Sequence, residues 1–332
     1  MFASLTLRGQ TFAPALFGAP MAGLTHSAFR RLVSDFLGYG ALFTEMLSAK
    51  ALLNETFANS PYVRRRSEEG AVFYQLLISD TDRIAAIMDR VRSYEPAGLD
   101  VNLACGAPKV RWSGGGAALF DDATRLEKVL TAVRRGFQGP LTVKIRLGHE
   151  RPDWQETFAE RATRIRNAGV DAVILHPRFS GQKFRGTARH EIIPWAADSL
   201  RLPLIASGDL TGPDAVEARR CHLAAAGGIM IGRMLAVQPW ILAAWSGVTP
   251  AMDHAEVWRR FADYLAEDFA PDRRLARLKM FTQYFARNFL YGHTLFARVQ
   301  SARTETEART RAEVFLAATP ALDPTPSVRG IN

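Results

Sequence analysis

Short apolar stretches recur along the first two thirds of the chain, at 16–22, 41–47, 71–77, 98–105, 141–147, 172–178, 202–207 and 228–233. Most are near-continuous in apolar residues rather than alternating, the pattern of strands buried on both faces. Each is followed by a polar turn and then a segment with helical spacing. Eight such alternations within about 240 residues predict an α/β fold, a closed (β/α)8 TIM barrel, rather than an open doubly wound sheet. In such a barrel the chemistry gathers where the strands end, on the loops leading into the helices.

Past Trp245 the pattern changes. The chain runs through Gly247 and Pro250, and from 253 to about 315 it shows helical periodicity and no strand-like run. A C-terminal helical domain is predicted there, with Phe281, Tyr284, Phe285, Phe289 and Leu290 on one face that packs the bundle or meets the barrel. Pro320, Pro324 and Pro326 mark the end as a frayed tail. The division expected is 1–245 for the barrel, 246–318 for the helical domain and 319–332 for the tail.

Composition adds limits. Of 332 residues 48% are hydrophobic and 23% charged, which is ordinary for a globular protein. The formal net charge of +9 favours polyanionic partners, although charge alone also serves solubility. Two cysteines, Cys105 and Cys221, exclude a disulfide framework and a cysteine-rich metal site, so a reducing compartment, no metal and a cytoplasmic location are expected. The first eight residues lack a basic segment before an apolar one, and Arg233 interrupts the run at 223–237, so neither a signal peptide nor a membrane span is expected.

Several strand ends carry chemistry. Cys105 leaves a buried strand for the glycine-rich loop at 113–116, placing a thiol at the barrel mouth as proton donor or nucleophile. Cys221, among helical and loop residues, reads as a small buried hydrophobe. Lys144 and Arg146 alternate along an apolar strand. A lysine there needs an anionic neighbour, either a carboxylate elsewhere in the barrel or a flavin ring that gains negative charge on reduction. His176 and Arg178 end the sixth strand. Ser207-Gly208-Asp209 and Gly232-Arg233 follow the last two strands, where this fold commonly binds a phosphate. Between 273 and 303 the chain holds Arg273, Arg274, Arg277, Lys279, Arg287, Arg298 and Arg303 with no acidic residue. That surface either meets a phosphate backbone or is simply solvated.

Taken in order, these residues resemble the dihydrouridine synthase family. Ala19-Pro20-Met21-Ala22-Gly23 is similar to its opening flavin loop, Thr44-Glu45-Met46 to its second strand end, Gln75-Leu76 to its third, and 102–110 to its catalytic-cysteine loop. Val143-Lys144-Ile145-Arg146, His176-Pro177-Arg178, Gly208-Asp209 and Gly232-Arg233 continue the likeness. Arg277-Leu278-Lys279-Met280, with Tyr284, Phe285 and Arg287, is similar to the recognition domain of bacterial members, nearest the C type. Two departures stand out. Ala104-Cys105-Gly106 replaces the usual glycine, cysteine, proline, and Ser207 stands where asparagine is common.

The resemblance implies FMN reduced by NADPH or NADH, hydride transfer to C6 of a tRNA uridine, usually in the D-loop, and protonation of C5 by Cys105. It places Pro20, Met21, Gln75, Lys144, His176, Ser207, Gly208, Asp209, Gly232 and Arg233 on the cofactor. It places Glu45, Asn102, Lys109, Arg178, Arg277 and Lys279 on the RNA, and it implies a monomer. A dihydroorotate or ene reductase, a tRNA-binding homologue with an impaired site, and a flavin-free sugar-phosphate barrel remain open on the residues alone.

Overall fold

A computed structural model of the protein describes residues 2–246, 253–328 and 330. The expected crossing through Gly247 and Pro250 lies outside the described residues. The strands are β1 (Leu5–Leu7), β2 (Gln10–Phe12), β3 (Leu16–Gly18), β4 (Ala41–Phe43), β5 (Leu47–Ser48), β6 (Val72–Leu77), β7 (Gly98–Asn102), β8 (Leu141–Ile145), β9 (Ala172–Leu175), β10 (Leu204–Ser207) and β11 (Gly228–Ile231). The helices that position the site are α1 (Ser27–Ser34), α2 (Ile84–Arg92), α3 (Pro108–Trp112), α4 (Ala117–Asp121), α5 (Ala123–Gly136), α6 (Trp154–Asn167), α7 (Ile193–Leu200), α8 (Pro213–Glu217), α9 (Arg220–Leu223) and α10 (Arg233–Val237). Strands β3, β4, β6, β7, β8, β9, β10 and β11 pair in parallel in that order, and β11 returns to β3, so the predicted barrel is closed. Each expected stretch contains one of these eight strands, and β5 only extends the edge beside β6.

The antiparallel hairpin β1–β2 was not legible in the sequence, because three-residue strands are too short to show alternation. Its turn is Arg8-Gly9, both with positive φ, which matches the twist of the strands. Buried Leu5, Leu7 and Phe12 turn inward, and Phe12 meets Phe17 and Phe73 near the start of their strands, closing that end of the barrel. Catalysis is left the opposite rim.

Helices α11 (His254–Asp268), α12 (Pro271–Phe285), α13 (Gly292–Gln300) and α14 (Glu305–Leu316) follow, as the helical spacing predicts. Of these, α11 and α12 rest on α1, every residue of which is buried. Phe29 of α1 meets Phe261 and Phe281, and Phe281, Phe285 and Phe289 form a chain of ring contacts within the helical region. Polar groups seal the seam. Tyr264 donates to Asp35, and Asn288 donates 2.7 Å to the Val237 carbonyl. Where the sequence suggests a free tail, residues 319–328 run back along these helices. Leu290 N–H donates 3.0 Å to Ala321, Asp323 N–H donates 2.8 Å to Asn288, and Val328 is buried. Cys221 also departs from expectation: it lies exposed on α9, because that four-residue helix buries only Leu223.

Candidate active site

Along a parallel strand every second side chain enters the barrel, and register aligns the entrants of neighbours. Gln75 faces Asp100, Asp100 faces Thr142, and Asn102 faces Lys144. This alternation assembles a polar floor beneath the mouth. Asp100 is fully buried, accepting 2.7 Å from the Gln75 amide and 2.6 Å from the Thr142 hydroxyl. Burial pushes its carboxyl up to about 6, while those two donors and Lys144 pull the other way. The sequence held a signal for this residue, a carboxylate in an otherwise apolar strand, but no role was read from it.

Gln75 passes the order upward. Its amide oxygen accepts 2.9 Å from Asn102 Nδ2, which leaves Asn102 Oδ1 to accept from the backbone N–H groups of Ala104 and Cys105 at 3.2 and 2.9 Å. Asn102 therefore aims the cysteine loop rather than simply lining it. Gly116, at φ +57°, closes the loop from behind. A Cβ there would lie 2.5 Å from the Cys105 carbonyl, which accepts 3.0 Å from Ala117 N–H. The Cys105 sulfhydryl remains partly exposed at the rim. Lys109, on α3 of the same loop, is exposed.

Lys144 projects from β8 into the mouth. Its ammonium makes no hydrogen bond or close ion pair among the described residues, and burial lowers its pKa to about 8, with Arg146 adding to the effect and Asp100 and Cys105 opposing it. Asp100, one layer below, acts on Lys144 only through space, its oxygens being held by Gln75 and Thr142. Burial likewise holds the His176 imidazole well below its usual pKa, helped by Lys144, Arg146, Arg178 and Arg233. It is neutral at pH 7, and Nε2 accepts 2.8 Å from Arg178, which puts the ring proton on Nδ1.

Arg178 is not open to a substrate. It is almost fully buried, donates 2.7 Å to the Gly186 carbonyl and pairs with Asp209. Asp209 is committed to Arg178, to Ala188 N–H at 2.8 Å and to Arg233 at 3.4 Å, so it orients the arginines. Gly208, at φ +96°, is required where it stands: a Cβ would lie 2.6 Å from the His176 ring. Ser207 is buried at the end of β10. Pro20 and Met21 are half-buried across the β3–β11 seam, where Ala19 N–H donates 2.8 Å to Ile231 and Met21 Sδ lies 3.9 Å from the Cβ position of Gly232. Phe184, missed in the sequence, spans this end of the mouth, with the Arg233 guanidinium 4.5 Å from its ring centre and His176 beside it.

At the helical side, Glu45 accepts 2.8 Å from Gly23 N–H, and burial raises its pKa to about 7 against that bond and the nearby Arg277 and Arg30. Met280 of α12 covers the same loop, 3.0 Å from where a Gly23 Cβ would be. Arg277 is turned inward, bonding Tyr62 and stacking over Phe269 at 4.8 Å. Arg274 is paired with Glu305. Among the described residues, half-buried Lys279 and exposed Arg287, Arg298 and Arg303 form no salt bridge.

The family described as dihydrouridine synthase (Dus) matches residues 17–317. The chain belongs to this family. It is an oxidoreductase of the dihydrouridine synthase kind. Over 250 residues it is 33% identical to a probable tRNA-dihydrouridine synthase of Treponema pallidum, covering 71% of this chain and 70% of that one. Over 307 residues it is 30% identical to tRNA-dihydrouridine synthase B of Yersinia pestis, covering 88% and 94%. Several relatives carry the B-type name, whereas the helical stretch pointed to the C type. Among solved structures, the old yellow enzyme of Trypanosoma cruzi superposes with a TM-score of 0.55 over 81% of this chain and 98% of its own, at 10% identity. Morphinone reductase gives 0.57 over 75% and 90%, at 11% identity. At such identity the likeness speaks for the barrel alone. No helix among the described residues is long and apolar enough to cross a membrane, and no cluster of three or more potential metal ligands occurs among them.

Proposed function

We propose that this dihydrouridine synthase reduces a uridine of tRNA, in the D-loop, to 5,6-dihydrouridine, using FMN and NADPH or NADH. The observation that carries the reading is the layered network in which Asp100 fixes Gln75, Gln75 fixes Asn102, and Asn102 aims the Cys105 loop over Lys144. The donor set fits FMN. Lys144 offers an uncommitted ammonium near the floor, His176 an Nδ1 proton, and the turns at Gly208 and Gly232 offer backbone beside Arg233. Pro20, Met21, Gln75 and Ser207 would line it.

Bound FMN, once reduced, supplies the hydride taken by C6 of the uracil. The remaining work belongs to this chain. Cys105 holds on Sγ the proton that C5 must receive, and the Lys144 cation stabilises negative charge that develops in the mouth. Glu45, with a pKa of about 7, is able to donate or accept a hydrogen bond at the helical rim. Reaching the thiol requires the uridine to leave its stack, which a loop nucleotide does at low cost. Lys109, Lys279, Arg287, Arg298 and Arg303 are among the cations open to the RNA backbone, while Arg178 and Arg277 act through the residues they hold. A monomer working in the cytoplasm accords with this role.

The test is to purify the protein, read its visible absorption and add NADPH with unmodified tRNA while following dihydrouridine. A yellow protein, bleached by NADPH and reoxidised by tRNA, is expected. Cys105→Ala should retain both colour and bleaching but lose activity on tRNA by about 10²- to 10⁴-fold. Colourless protein that takes up no FMN, or equal turnover by the variant, refutes the proposal; turnover of a small enone or dihydroorotate without tRNA assigns the other reductase class.

A further inference from the structure

We infer that Trp112 is a stacking platform for an unpaired base of the RNA substrate, beside the nucleotide presented to Cys105. This rests on the RNA substrate proposed above and adds a contact that the reaction itself does not require.

The chain leaves β7 after Asn102 and, eleven residues past Cys105, returns to that residue. Ala117 N–H donates to the Cys105 carbonyl, and Gly116 abuts that oxygen. Within the excursion sits α3. Its Val110 is buried and, with the close approach of Gly116 to the Val110 methyl, pins the helix against the loop. The remaining face points outward. Trp112 there is 86% exposed, more than any other large hydrophobic residue among those described. Isolated apolar residues on a surface are common and need no explanation. An indole on a pinned helix at the rim of a reaction site is a different case, because its surroundings are matched to a ligand. Lys109, three positions earlier, lies on the same side of the helix and makes no ion pair among the described residues, whereas Arg111 is drawn back toward Asp121 at 3.4 Å.

An aromatic face next to an uncommitted cation matches the two parts of an unpaired nucleotide, its base and its phosphate. A five-residue helix extends about 7 Å. The indole therefore stands one short helix beyond the cysteine loop, a reach on the scale of a splayed nucleotide next to the target base. Stacking of this kind tolerates any base, so Trp112 contributes affinity rather than sequence reading.

The test uses the holoenzyme and an unmodified tRNA transcript, with wild type, Trp112→Ala and Trp112→Phe. The alanine variant should weaken tRNA binding and raise KM for tRNA about 10- to 100-fold, and phenylalanine should recover most of that loss. The salt dependence of binding should keep its slope, since no charge is removed, and cofactor reduction by NADPH should be unchanged. Wild-type affinity in the alanine variant overturns the inference, as does a phenylalanine variant as weak as alanine. Loss of self-association at unchanged tRNA affinity would also overturn it, assigning this surface to a second copy. Should wild type itself fail to bind tRNA, the proposed function falls, and that outcome is visible before any variant is made.

Discussion

Asp268 offers the sharpest test of how the helical region is held on the barrel. It ends α11, and its side chain is completely buried. One carboxylate oxygen accepts 2.6 Å from Ser27 and has Arg31 at 3.6 Å; the other accepts 2.6 and 3.1 Å from Arg66 and 3.2 Å from Arg64. Burial alone would raise its pKa, but Ser27, Arg66 and Arg31 together hold it below the usual carboxylate range. Its folded-state pKa being depressed, its contribution is present above the unfolded value near pH 4 and is lost as the pH falls below that. Breaking a buried ion pair from one side typically costs about 3–5 kcal/mol. Here Arg66 is 38% exposed, and Arg31 keeps Glu68 and Glu267, so Asp268→Ala should cost about 2–3 kcal/mol. Urea titration at pH 7 should show a lower midpoint, and amide exchange should rise first in α1 and α11. Tyr264→Phe, which removes a half-buried bond to Asp35 in the same seam, is the control and should cost about 1 kcal/mol. If Asp268→Ala loses no more than this control, the buried carboxylate is not what joins the two regions.

Gly116→Ala should disturb the cysteine loop more than overall stability, because the new Cβ meets the Cys105 carbonyl at a positive φ. We expect at least about a tenfold loss of tRNA reduction, with a cost near 1–2 kcal/mol in urea; unaltered activity and Cys105 alkylation rate would contradict this. Lys144→Met should weaken FMN binding by about 10- to 100-fold, as loss of a charged hydrogen bond does. In wild type the affinity should fall as pH rises through about 8, where Lys144 loses its proton, and the variant should lack that step. Flavin fluorescence titration across pH 6.5–9.5 decides it. His26 is fully buried between Phe261 and Phe269, and neither ring nitrogen has a hydrogen-bond partner among the described residues. Burial, then Arg277 and Arg30, hold it neutral, so the unfolded chain takes up a proton below about pH 6.5 that the folded chain refuses. Stability should therefore fall on acidification, and His26→Phe should relieve up to about 1.4 kcal/mol per pH unit of that slope. Parallel stability–pH curves for the two proteins would rule this out.

The eight strands, their order and the alternation of Lys144 with Arg146 were legible in the chain itself, because strand periodicity is local and each βα unit repeats it; that Gln75, Asp100, Asn102 and Thr142 meet in one inward network came from the register of neighbouring strands. The cysteine at a strand end and the glycines of the last two turns were legible for the same reason. Tertiary structure alone decided which polar groups are free. Arg178 and Arg277 look equivalent in sequence to Lys144 and Arg287, yet the first pair is consumed by Asp209 and by Tyr62 with Phe269, while the second remains available. The partner that makes the difference comes from a distant part of the chain. Ser27 and Asp268, 241 positions apart, meet only when the helical region docks on α1. A charge's role depends on its desolvation and on what neutralises it, and both are properties of the packed molecule rather than of any segment.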